Sequence, residues 1–418
     1  MIHYLKGNIG SGVFAMGDAL KNAGLLFGAI GIALLGSICL YNNHLLVNSS
    51  VEIKKKLKMP TEPNQPETIA LCFEHGPLMF RRWHNSVRMI VKGFIIATQL
   101  GFCSIYFIFV SSSMQTVMKD HGYDYDLKVY SAMTLLPILL SAMIRSLKFL
   151  TPVSLLSNIL MCCGVCLTFY LCSLDLPNVS ERKLFADFST IPLFFGTTIY
   201  AFEGISLVIP LHNEMKNQKL FRSTFGVMNI GQIFVIFLAV AMGVVAYLKY
   251  GDDVKGSVTL NFQPGTLSEL VMSSVALAIL LTYAIQFHVA IDLIWWDLVA
   301  ARGPFRHMTL YELLLRVGLV LFTFIMANVV PHLNLFISLI GAMCSAALAL
   351  VFPALCDIAL RTCPIEEGRL QSKSTARQAW RFFLDAITLI IAITGFITGT
   401  FYSVVAIIEA FEQDFSSS

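Results

Sequence analysis

Stretches of about 20 apolar residues, each long enough to cross roughly 30 Å of hydrocarbon, recur from one end of this chain to the other. Eleven are predicted, centred near Ser11, Gly36, Phe102, Pro137, Gly164, Tyr200, Phe237, Ala278, Leu321, Ser345 and Gly395. They leave no room for a large soluble domain, so the 418 residues read as one membrane-embedded unit. Barrel strands alternate in character every second residue, whereas these runs are apolar on all sides. The fold class is therefore all-α and polytopic. Composition agrees, with 56% of residues hydrophobic, 13% charged and a mean hydropathy of +0.72, against roughly 45–50% apolar and 25% charged in soluble domains.

Charge placement orients the spans. With a cytosolic N-terminus, Lys21, Lys119, Lys128, Arg182, Lys183, Lys249 and Lys255 fall on the far side, and Lys6, Lys92 and Arg316 lie within spans. The other 19 of the 29 Lys and Arg face the cytosol, as the positive-inside rule requires. The net charge of +3 thus reports topology and gives no ground for nucleic-acid binding. The longest non-apolar segment, residues 51–87, is a basic, Pro-punctuated cytosolic loop whose Lys cluster suits anionic headgroups. Most of the ten cysteines fall within spans and read as small packing residues. No metal-ligand spacing and no hydrolase, kinase or nucleotide motif is present, so the chain does not read as an enzyme. Asn178-Val179-Ser180 is a glycosylation sequon in a predicted outward loop. The first span carries Lys6 and Asp18 and no cleavage site, unlike a signal peptide.

Two spans are interrupted. "IHYLKGNIGSGVFAMGDALKNAG" holds Gly7, Gly10 and Gly12 with Asn8 and Ser11, and "IPLFFGTTIYAFEGISLVIPL" holds Glu203 between Phe202 and Gly204. Interrupted spans about half a chain apart are the mark of inverted-repeat secondary transporters, which bind substrate on unwound backbone at mid-membrane. Glycines there let a ligand approach the backbone, and the restarting half-helix turns its positive end toward a carboxylate. The same glycines also suit close helix packing. Glu203 at that depth costs several kcal/mol unless paired, protonated or hydrated, which makes it a functional candidate for proton exchange; a structural pin between helices is the alternative. His3, one turn before Gly7, titrates in the physiological range and is the second proton candidate, although an interfacial histidine would sit there as well. Tyr106, with Gln99, and Tyr283, with Thr282 and Gln286, are polar groups on otherwise apolar helices. They suit a pocket or interhelical hydrogen bonds equally.

"IHYLKGNIGSG", "TQLGFCSIYF", "PLFFGTTIYAFEGISLVIPL", "LTYAIQFHV" and "ISLIGAMCSAALAL" closely resemble the proton-coupled amino acid transporters of the amino acid/auxin permease superfamily. "FAMGDALKNAG" is most similar to the insect branch. The resemblance implies a leucine-transporter-like 5+5 inverted repeat with broken helices 1 and 6. Helices 1–5 would cover approximately 3–173, helices 6–10 approximately 190–358 and a peripheral eleventh approximately 379–410. It implies sodium-independent symport of protons with small neutral amino acids such as glycine, alanine or proline, with no cofactor beyond the coupling proton, in the plasma membrane or the lysosomal membrane. His3 matches the family's first-helix histidine tied to proton coupling, and Glu203 its acidic residue in helix 6. Relative to the family pattern the first half-helix is short, Met16-Gly17 stands where many members carry Leu-Pro, and the outward loops lack the cysteines some relatives pair. A low-flux sensor that signals through cytosolic partners docked on the 51–87 loop is the competing reading.

Overall fold

The computed structural model describes residues 2–145, 147–299, 303, 307–362 and 375–417. Among them there is no β-strand. The first span is the broken series α1 (Ile2–Asn8), α2 (Ser11–Phe14) and α3 (Met16–Ala23). It is followed by α4 (Leu25–Leu57), α5 (Gln65–Glu74), α6 (Leu78–Arg81), α7 (His84–Asp120), α8 (Leu127–Ala142) and α9 (Leu147–Ser173). The second half opens on the broken pair α10 (Ile191–Ala201) and α11 (Ile205–Glu214), then α12 (Gln218–Phe221), α13 (Val227–Tyr250), α14 (Thr266–Ile294) and α15 (Met308–Val329). The last elements are α16 (Leu333–Ile340), carried through π-helical turns at Gly341–Ser345 and Ala347–Val351 into α17 (Phe352–Arg361), and α18 (Thr375–Ser417).

Nine helices among the described residues are long and apolar enough to cross a membrane. With the 16-residue α8 and the broken series Ile2–Ala23 they account for the eleven predicted spans. The two halves follow the expected 5+5 plan, each opening on a broken span, with α7 of the first packed along α14 of the second and α18 set against α10, α16 and α17.

Residues 51–87, read as a loop from sequence, are largely helical. α4 runs on to Leu57 because Glu52 and Lys56 pair one turn apart at 3.3 Å and Lys54, Lys55 and Lys56 complement the negative end of the helix. The chain leaves α4 through Lys58 in a left-handed conformation, φ 50°. α5 starts where the Asn64 side chain accepts a hydrogen bond from the Glu67 amide, with Pro66 in the first turn. At the other end of the first span, Gly24 turns the chain at φ +86°, against the backbone of Leu184 and Phe185, where a Cβ has no room.

Two large buried apolar cores result, with a third, smaller one of Tyr4, Val47, Val51, Val208, Phe221 and Met228 beside α1 and α11. One lies between α7, α14 and α15, around Phe107, Phe287 and Val320; the other joins α3, α4, α10, α13 and the α16–α17 span, around Met16, Ile32, Val235 and Leu348. Lipid is as apolar as these side chains, so close packing and hydrogen bonds, rather than withdrawal from water, hold the helices together. The two broken spans meet on the boundary between the cores, where α2 touches α10 and Ile9 packs against both.

Candidate functional site at the crossing of the broken spans

The broken spans run antiparallel, with Gly7 against Leu207, Asn8 against Gly204 and Gly12 against Ala201. Helix is lost at Ile9–Gly10 in one and at Phe202–Gly204 in the other. Ser11 and Tyr200 tie the crossing together through a 2.7 Å hydroxyl–hydroxyl hydrogen bond. A Cβ built on Gly12 would stand 2.6 Å from the Ala201 Cα, so this glycine sets the closeness of the crossing. Gly10 is different, because a Cβ there meets nothing within 4 Å. Empty space therefore begins at the first break.

Around that space the backbone is unsatisfied by position. The amides of Ser11 and Gly12 open a new helix and have no intrahelical acceptor. The Asn8 side chain donates to the Tyr4 carbonyl at 2.9 Å, which leaves its Oδ1 buried without a partner beside Gly204. The space is sealed on one side only. Every residue from Ser11 to Leu20 is buried, and the Phe102 ring stands edge-on to Tyr200 at 5.0 Å. On the α1 side Gly7, Ile9 and Gly10 are partly exposed, and Leu207 is 46% exposed.

Glu203 is buried in the second break, and among the described residues neither carboxylate oxygen has a partner at hydrogen-bond geometry, Ser345 standing just outside it. The polar side chain in reach is Ser345 of the π-helical turn, with Cys344 and Cys39 close by. The carboxylate is thus placed among α4 and the α16–α17 span. Phe202, expected to shape the pocket, is 1% exposed and packs with Ile236 over Gly36, inside the core of α4 and α13. Tyr106 is buried on α7 near Tyr200 and Gln286, so it belongs to the wall of the crossing. Tyr283 is not shown there. Its hydroxyl bonds Thr323 of α15 at 2.9 Å and its ring packs on Phe107 and Phe287. His3 belongs to α1, but its side chain lies outside the described residues. Asn178 is exposed at the start of a short 3-10 turn, open to modification. Sequence reading missed Tyr200 and Ser345. Tyr200 was findable, since it lies one helical turn before Glu203 in the same quoted block, whereas Ser345 reaches Glu203 only through tertiary packing.

An inverted repeat of five helices, with unwound backbone where its two broken spans cross, defines a secondary transporter. The sequence matches the family described as "Transmembrane amino acid transporter protein" over residues 1–408, and the chain belongs to that family. It is similar to "Proton-coupled amino acid transporter-like protein pathetic" of Drosophila melanogaster, 29% identical over 99% of this chain and 86% of that one. It is also similar to "Probable amino acid transporter skat-1" of Caenorhabditis elegans, 26% identical over 98% and 89%. Among solved structures the inward-facing conformation of Mhp1 superposes with a TM-score of 0.56 at 13% identity, over all of this chain and 90% of that one, which shows the shared fold. The protein is a multi-pass membrane protein of a transporter family, not an enzyme.

Proposed function

We propose that this protein carries small neutral amino acids, such as glycine, alanine and proline, in symport with protons and without sodium. The substrate carboxylate sits against the Ser11 and Gly12 amides. Its ammonium group is taken by Asn8 Oδ1 and the carbonyls about Phe202 and Gly204. Tyr200 and Tyr106 bound the side chain. The crossing supports this reading because the first break offers donors, the Ser11 and Gly12 amides, on one side, an acceptor, Asn8 Oδ1, on the other, and open space between them at Gly10. Glu203, with His3 as the second group, exchanges the coupling proton. The excess of Lys and Arg on the face of the α4–α7 linker favours a cytosolic N-terminus, so the open side of the crossing faces the cytosol.

The observation that carries the proton assignment is the Glu203 carboxylate, buried with both oxygens unpartnered. A permanent charge left so is among the costliest arrangements in a membrane protein, and a group that takes up and releases a proton during the cycle avoids carrying it throughout. Labelled glycine, alanine and proline uptake into proteoliposomes tests this, under an inward proton gradient, with and without sodium. Accumulation should need the proton gradient and ignore sodium. Glu203→Gln should abolish gradient-driven accumulation while substrate still binds. Unchanged accumulation in folded Glu203→Gln protein removes Glu203 from the mechanism, and binding without accumulation in the unaltered protein overturns symport in favour of the low-flux sensor.

A further inference from the structure

The half-helix that starts at the second break ends in a buried hydrogen-bonded pair that the crossing itself does not use. His212 closes the last turn of α11, and its Nδ1 lies 2.7 Å from Glu62 Oε2, the two side chains being 1% and 2% exposed. Glu62 belongs to the linker between α4 and α5. Its other oxygen stands 3.6 Å from Lys54 of α4, and its backbone carbonyl accepts from Asn213 at 3.5 Å. The next carbonyl, that of Pro63, accepts from Ser50 of α4 and Thr68 of α5. The His212 ring packs edge-on against Phe221 at 5.5 Å. α5 in turn lies against α7 and α17, so this linker joins the inner half-helix to elements outside the broken spans.

A buried hydrogen bond contributes little net stability, while removal of one partner leaves the other buried without its bond and is destabilising. Such a pair acts as an all-or-none tie, made or broken as a unit. It also stands on α11, which starts directly after the second break and whose N-cap Gly204 lies against Asn8. Any displacement of α11 against the α4–α5 linker must therefore break or stretch the tie.

We propose that His212 and Glu62 form a latch that holds α11 to the α4–α5 linker in the conformation open at Gly10, and that both are positioning residues for the conformational step of transport. The proposal rests on the transport reading, and the role lies outside the binding crossing. With the latch removed this conformation is less populated, and the carrier returns to it more slowly.

The test compares His212→Gln, Glu62→Gln and the double variant with the unaltered protein in proteoliposomes, together with hydrogen–deuterium exchange of residues 205–214 and 59–64. Each single variant should lower kcat of uptake about fivefold to tenfold with KM within about twofold, and exchange should rise in both segments together. The double variant should fall no further than either single, because each single variant already breaks the one contact the two residues share, so the loss departs from the product of the singles by about fivefold or more. Losses that multiply, a KM change without a kcat change, or unaltered exchange in both segments would each overturn the latch. If the unaltered protein carries no amino acid, it is the transport reading that fails. The exchange measurement still decides whether His212 and Glu62 hold the two segments as one unit, and Glu62→Asp, which keeps the charge, should restore slow exchange.

Discussion

Gly10 and Gly12 are two residues apart, yet an added methyl group should act on them in opposite ways. At Gly12 the new Cβ stands 2.6 Å from the Ala201 Cα and 2.9 Å from its Cβ, while carbon atoms pack at about 3.5–4.0 Å. Backbone cannot swing aside, so α2 and α10 must part by about 1 Å. Overpacking of this kind costs about 1–3 kcal/mol. The Ser11–Tyr200 bond, now 2.7 Å, would stretch out of range for about 1 kcal/mol more. Gly12→Ala should therefore lose about 2–4 kcal/mol, which at about 2 °C per kcal/mol for a chain of this size lowers the melting temperature by roughly 5 °C. Scan rate must be held fixed, because unfolding of such a protein is governed by kinetics. At Gly10 φ is −150° and the methyl group meets nothing within 4 Å, so Gly10→Ala should melt within about 1 °C of the unaltered protein. It should nevertheless weaken amino acid binding about tenfold, the equivalent of about 1.4 kcal/mol, since the methyl group occupies the open space. Differential scanning fluorimetry in detergent beside equilibrium binding reads both. Equal melting losses at the two positions, or unaltered binding in Gly10→Ala, would refute the assignment of that space.

Ser11→Ala and Tyr200→Phe should each lower stability by about 1 kcal/mol, and the double variant by no more than either, because one hydrogen bond is shared; additive melting losses would show two separate roles. Asn178→Gln should abolish the glycosidase-sensitive mobility shift of the protein made in eukaryotic cells, and a shift that persists, or none in the unaltered protein, would count against the outward placement of that loop. Outside the spans, the Val117 carbonyl and then the Glu269 carboxylate raise the proton affinity of His121 above its ordinary value of 6.5. Protonated His121 thus favours the folded arrangement, an effect fully present below pH 6.5 and lost as the pH rises through the raised value. An NMR titration should place His121 above 6.5 and bring it down in Glu269→Gln.

The helix number, the two breaks and the identity of the crossing glycines were legible because each is written locally, in hydropathy, in Gly spacing and in a lone acidic residue inside an apolar run. What a side chain faces is not local. Phe202 and Glu203 are neighbours in an unwound turn, and only the packing of α4, α13 and the α16–α17 span sends the ring into a core and the carboxylate toward Ser345. Tyr106 and Tyr283 looked alike in sequence, each a polar aromatic on an apolar helix, but one stands by Tyr200 and the other is taken up by Thr323. The helicity of residues 51–57 was hidden by charge, since a Lys-rich run reads as loop until the helix end it neutralises is known.

The crossing is asymmetric in a way that constrains how it can work. Its sealed side is built from rigid parts: the buried stretch Ser11–Leu20, a close approach at Gly12 and an aromatic wall of Phe102 and Tyr200. Its open side is built from the half-helices α1 and α11, held by the small apolar cluster of Tyr4, Val208, Phe221 and Met228 and by polar ties that include Tyr4 to Gln232 at 2.8 Å and His212 to Glu62 at 2.7 Å. A ligand shifts a conformational equilibrium only by its difference in affinity between the two states. In the binding mode proposed above, amino acid between Asn8 and the Ser11 amide would touch both sides of the first break and would gain most from a conformation that brings α1 and α11 onto it. In that mode closure of this side is the step that substrate itself would drive, while opening of the sealed side must separate Gly12 from Ala201 and break the Ser11–Tyr200 bond.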